Sequence, residues 1–229
     1  PQPEPDPPQP QPRPEVTWAE LEPQVRARLD GRVESRIIDK MIETMQNSGD
    51  AGKLLGDRIA NGQFNGVEGY VTLIKKASTD RHSIEAINQT MDRASQVVRD
   101  GVPESQLRFE HDEGTGTHDV DVGVRNPGAP GTYLQAYQFK TLNGRLTPKK
   151  IQEAAIQLRD VNAVEKILEL RCTPDTTPAV IESPKMIGEM RYQAGLKVPG
   201  QGNGITEFRF ELSDGTVIVK KKADLSATQ

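Results

Sequence analysis

Apolar positions at three-to-four spacing mark the first structured part of the chain. Val33, Ile37, Ile38, Met41, Ile42 and Met45 recur with the period of one helix face. Asn47-Ser48-Gly49 closes that run with turn residues. AGKLLGDRIANG (51–62) is a second, shorter helical run, and VEGYVTLIKKA (67–77) fits helix or strand. The strongest helix is TDRHSIEAINQTMDRASQVVRDG (79–101), with Ile84, Ile87, Met91, Ala94 and Val98 in one stripe. Thr79 or Asp80 caps its start and Gly101 ends it. The period then drops to two. QLRFE (106–110) reads as a strand, HDEGTGT (111–117) as a turn, HDVDVGV (118–124) as a second strand and LQAYQFKTL (134–142) as a third, after the loop RNPGAPG. A helix follows, capped by Thr147 with Pro148 as its first residue and Ile151, Ala155, Leu158 and Val161 inward. ILELRC (167–172) is a fourth strand. Beyond it come a Pro-containing turn, a helix around PKMIGEMRYQAGLK, and a hairpin of ITEFRFEL with GTVIVKKK across Ser213-Asp214-Gly215.

The predicted fold class is therefore mixed α/β. From 80 to 172 the order is helix, strand, strand, strand, helix, strand. It is preceded by a helical subdomain at 16–78, and the domain at 79–229 ends in the hairpin. Residues 1–15, PQPEPDPPQPQPRPE, read as an extended proline-rich linker, because Pro at alternate positions suits neither helix nor central strand.

Candidate chemistry gathers on the second and third strands. Alternation places Asp119 and Asp121 on one face of the second, and Gln138 and Lys140 on one face of the third. Carboxylate and amide oxygens suit Mg²⁺, a hard, octahedral ion. A Lys ammonium beside them is a point charge for a water or a phosphate. In a strand of Tyr, Leu, Ala and Phe, Lys140 is either at an edge or in use. Two same-face carboxylates are costly to bury without cations, and are otherwise simply solvated.

The Asp121 strand followed by Gln138-x-Lys140, within that order of elements, resembles the PD-(D/E)XK nuclease superfamily. The resemblance is to the form in which Gln replaces Glu, as in Mrr-type restriction endonucleases. It spans 80–172 and implies an αβββαβ restriction-endonuclease-like core. It also implies a metal-dependent endonuclease, with Mg²⁺ or Mn²⁺ held by Asp121, Gln138 and Glu85. Glu85 matches the family's first-helix acid, although a Glu near a helix N-terminus is also explained by the dipole. Asp119 is the alternative strand ligand, or help for a second ion. The metal would activate a water and Lys140 would orient or deprotonate it, or neutralise the phosphate. Tyr137, Arg145, Lys149 and Lys150 would form a phosphate-binding rim. The substrate would be DNA, with RNA as the alternative, cut by a restriction or repair enzyme or by a toxin. The proline spacer ahead of a compact domain resembles the C-terminal module of a polymorphic toxin, secreted to act in a target-cell cytoplasm and blocked by an immunity protein. A domain of this fold that binds nucleic acid without cutting it is the third reading.

Charge and composition qualify this picture. The net charge is −4, which favours local basic patches over a basic field. Eight of the 17 prolines lie in the first 14 residues, and with no Met at its start the chain reads as a segment of a longer polypeptide. The one cysteine, Cys172, excludes an intrachain disulfide and reads as a buried thiol. His82, His111 and His118 form no close pair at metal-ligand spacing. No apolar run is long enough to span a membrane.

Overall fold

The computed structural model describes residues 17–112, 119–197 and 204–227; the proline-rich stretch at 1–15 and His118 lie outside them. Helices α1 (Trp18–Leu29), α2 (Ser35–Gln46) and α3 (Gly49–Ala60) pack together, burying Leu21, Val25, Leu29, Met41, Ile42, Met45, Leu55 and Ile59. The ambiguous 67–77 run folds as α4 (Tyr70–Lys75) and a 3₁₀ turn over Lys76–Ser78. Helix α5 (Arg81–Arg99) is capped by Asp80, whose carboxylate accepts from Ser83 N at 2.9 Å. Its buried stripe is Ile84, Ile87, Met91 and Ala94 as expected, but ends on Val97, leaving Val98 half-buried.

Among the described residues six strands form one mixed sheet in chain order. β1 (Leu107–Asp112), β2 (Asp119–Arg125) and β3 (Tyr133–Thr141) are an antiparallel meander. Helix α6 (Pro148–Arg159) crosses over to β4 (Ala163–Arg171), parallel to β3. Helices α7 (Pro178–Ile181) and α8 (Pro184–Gln193) lead to β5 (Glu207–Glu211), parallel to β4. β6 (Val217–Lys221) returns antiparallel through the predicted hairpin, with Gly215 at φ 84, and α9 (Lys222–Ala227) follows.

The sheet separates two cores. On one face α5 packs on Phe109, Val122, Val124, Tyr137, Phe139 and Ile167, and this cluster runs without a break into α1–α4. The helical subdomain therefore shares its core with the sheet. On the other face α6, α8 and α9 cover Val120, Ala136, Leu168, Leu170, Phe208 and Phe210. β4 begins at Ala163, four residues before the predicted start at Ile167. The reason is Lys166, 1% exposed, whose ammonium donates to Arg159 O at the end of α6 at 2.6 Å; helix C-terminal carbonyls favour such a cation. Among the described residues no helix is long and apolar enough to cross a membrane.

Candidate active site at a fork in the sheet

β2 and β3 pair from Arg125↔Tyr133 to Val122↔Tyr137 and no further. β1 stays with β2 to Asp112↔Asp119, and β3 with β4 to Thr141↔Arg171. The sheet thus forks at Asp121 and Gln138, the two positions singled out by the sequence. At the fork the Asp121 carboxylate stands in for the missing strand: Oδ2 accepts from Phe139 N at 2.7 Å.

The faces of the fork differ from the expectation. Val122 lies in the core under α5, whereas Val120 lies in the core under α6. Residues two apart on a regular strand share a face, so alternation fails between them, at Asp121. Opposite, on β1, Glu110 takes the left-handed region at φ 47, and the 110/121 pair is missing from an otherwise continuous register. Both carboxylates line a cavity of about 110 Å³ under α5, with Lys76, Ser83, Thr90 and Phe139. The Glu110 side chain is 4% exposed and pairs with Lys76.

β3 keeps its alternation against β4 through Thr141↔Arg171. Tyr137 and Phe139 stack on the α5 side, so Gln138 and Lys140 face α6, beside their β4 partners Leu168 and Leu170. Gln138 is 2% exposed and its Oε1 has no hydrogen-bond partner among the described residues. Its Nε2 reaches only Phe139 O, at 3.5 Å. Lys140 is half-buried near the carboxyl end of β3. The expected convergence of Asp121, Gln138 and Lys140 on one ion is therefore corrected: Asp121 is on the opposite face from the other two.

The remaining candidates fall as follows. Glu85 is exposed; the α5 positions that reach the cavity are Ser83, Ala86, Ile87, Gln89 and Thr90, so the expected first-helix acid points elsewhere. Asp119 pairs with Asp112 by its backbone, and its side chain is outside the described residues. Tyr137 belongs to the core rather than to a rim. Its hydroxyl donates to Gln135 Oε1 at 3.0 Å, the Arg93 guanidinium lies 5.6 Å over its ring, and burial pushes its hydroxyl up to about 12. Lys150 ties down the loop before α6, donating to Asn143 O at 3.0 Å and Gly144 O at 2.8 Å. Arg145 and Lys149 are exposed beside it, and Lys149 pairs with Glu153 at 3.6 Å. Cys172 is a buried thiol, pushed up to about 11 by burial.

Two groups escaped the sequence reading. Glu110 carried no signal, because a left-handed residue inside a strand is a tertiary event. The second group is Glu169 on β4, buried between Arg93 of α5 at 2.7 Å and Arg209 of β5 at 3.3 Å, with Arg209 also paired to Glu207. Burial raises the Glu169 carboxyl above its usual range against the pull of both guanidiniums. Alternation along ILELR and EFRFE places these residues on one face, but not against α5.

Among the described residues no group of three or more His, Cys, Asp or Glu side chains is placed to hold a metal ion. Asp121 and Gln138 as they stand do not fit a shared Mg²⁺ or Mn²⁺. Comparison with family models, with curated proteins and with solved structures found no match to this chain.

Proposed function

We propose that this domain is a nuclease acting on the phosphodiester backbone of DNA, with RNA as the alternative substrate, at the fork between β2 and β3. The observation that carries the reading is Gln138: a buried amide oxygen without a partner, beside the point where the two strands part. A buried polar atom left unpartnered costs about 1–3 kcal/mol; Tyr70 Oη and Gln157 Oε1 are in the same state, and what sets Gln138 apart is its place at the fork beside Lys140. The order α5–β1–β2–β3–α6–β4 supports the same reading, being that of the restriction-endonuclease-like core the sequence resembles. In this reading Lys140 supplies the charge that holds or neutralises the scissile phosphate, and the Gln138 amide orients it. Because Asp121 and Gln138 face apart, no step is routed through a divalent ion.

The test is conversion of supercoiled plasmid by the purified chain in Mg²⁺, in Mn²⁺ and in EDTA, so the need for an ion is read from the same gel. Nicking by the parent chain and none by Lys140→Ala is the expected result. A second reading, a module that binds nucleic acid without cutting it, is favoured by the opposite placement of Asp121 and Gln138. It predicts oligonucleotide binding with no cleavage under any of these conditions. Action as a secreted toxin module in a target-cell cytoplasm, with an immunity protein as its partner, rests on the proline-rich stretch ahead of the domain.

A further inference from the structure

The two edges of the sheet are finished differently. Along β1, the segment before α4 lies against the strand. Glu68 bridges to Arg108, Phe109 N donates to Glu68 O at 2.9 Å, and the Glu68 carboxylate pairs with both Arg108 and Arg125. At the other edge, among the described residues, β6 has β5 on one side only. Its own ladder fixes which backbone groups that leaves. Leu212 N donates to Thr216 O at 2.8 Å and Lys222 N to Thr206 O at 2.9 Å, while Phe210 lies opposite Ile218 and Phe208 opposite Lys220. Hydrogen-bonded pairs alternate along an antiparallel ladder, so Ile218 and Lys220 bond to β5. Val217, Val219 and Lys221 turn their N–H and C=O groups outward. Asp224 Oδ2 takes the Lys221 N–H at 3.1 Å. Among the described residues no strand lies along the outward groups of Val217 and Val219.

Side chains complete the edge. Val217 and Val219 are 55% and 41% exposed, on the α5 side of the sheet, where Val217 lines a small cavity with Gln89 and Arg93, while Ile218 packs on the opposite core. Lys220 pairs with Glu182 at 2.5 Å; among the ion pairs of the described residues none involves Lys221 or Lys222. We propose that β6 is a docking edge for an extended, acidic segment of a partner polypeptide, which adds to the sheet as a further strand. Backbone hydrogen bonds to Val217 and Val219 give the attachment, the two valines an apolar contact at alternate positions, and the lysines the selection for carboxylates. A second copy of this chain is the poorer occupant. It would bring two runs of Lys220–Lys222 together, and lysines on an edge strand oppose self-pairing. A nucleic acid would use the ammonium groups but not the open backbone.

The experiment uses a fluorescently labelled, end-capped peptide of alternating Glu and Val, titrated with the whole chain and followed by anisotropy. A peptide with Lys in place of Glu is the control. Val219→Pro removes an outward N–H without touching the ladder to β5, a place where an edge strand tolerates Pro. The parent chain is expected to bind the acidic peptide and not the basic one. Val219→Pro should weaken binding about tenfold or more, and Lys221→Glu with Lys222→Glu should abolish it. The double variant leaves the backbone alone, so it decides the matter if Val219→Pro fails to fold. No binding by the parent, or equal binding by the parent and the double variant, would overturn the proposal. So would a concentration-dependent dimer that the double variant strengthens, or an oligonucleotide that displaces the peptide and binds Val219→Pro as well as the parent.

Discussion

On the α5 face of the fork both carboxylates have partners: Asp121 accepts from Phe139 N, and Glu110 pairs with Lys76. On the α6 face Gln138 is buried, where Asp121 is half-buried, and among the described residues its Oε1 has none. The contrast separates two kinds of polar residue that a sequence motif treats alike. Asp121 has a structural task, completing a ladder where two strands part. Gln138 has no task visible in the packing around it, and an apolar side chain would cost the fold less at that position. A mutation at Asp121 therefore reads the stability of the fold, while one at Gln138 or Lys140 tests the proposed activity.

The largest effect is expected at Lys140. Lys140→Ala should lower cleavage by about 10²–10³-fold, the usual loss when one group that stabilises transition-state charge is removed. Circular dichroism and the melting temperature should stay with the parent. A folded variant that cuts at the parental rate would remove Lys140 from the chemistry. Asp121→Ala should cost about 1–3 kcal/mol in urea unfolding by leaving Phe139 N without an acceptor. Asp121→Asn, which keeps an oxygen there, should recover most of that loss. If the two variants are equally unstable, the ladder role of the carboxylate is wrong. Cys172 should ignore a thiol reagent at neutral pH in the folded chain and react fully once unfolded, since burial pushes its thiol up to about 11. Rapid labelling of the native chain would break this expectation. The smallest effect is deletion of residues 1–15, which should leave the melting temperature unchanged; a clear drop would show that the stretch packs on the domain.

The order of elements was legible because each segment keeps one period: three-to-four in α5 and α6, two in β1 through β3, and a Ser213-Asp214-Gly215 turn for the last hairpin. What escaped depends on neighbours far away in sequence. Alternation along Asp119–Val124 predicts one face for Asp121 and another for Val122, yet β2 breaks its alternation where β1 takes a left-handed turn at Glu110. The α5 stripe was read well, but its edges were not: Ser83, Ala86 and Thr90 reach the cavity, and Glu85 turns to solvent. Lys166 hid the start of β4, because a polar letter gave no hint of a buried ammonium seated on a helix end. Tyr137 looked like a rim residue and is a core ring under Arg93.

The central claim is that Gln138 is kept for chemistry against the interest of the fold. Gln138→Met tests it most directly, with melting temperature and plasmid nicking measured on the same preparation. The account predicts a variant that melts at or above the parental temperature and no longer nicks plasmid. A variant that melts well below the parent and nicks at the parental rate would contradict it.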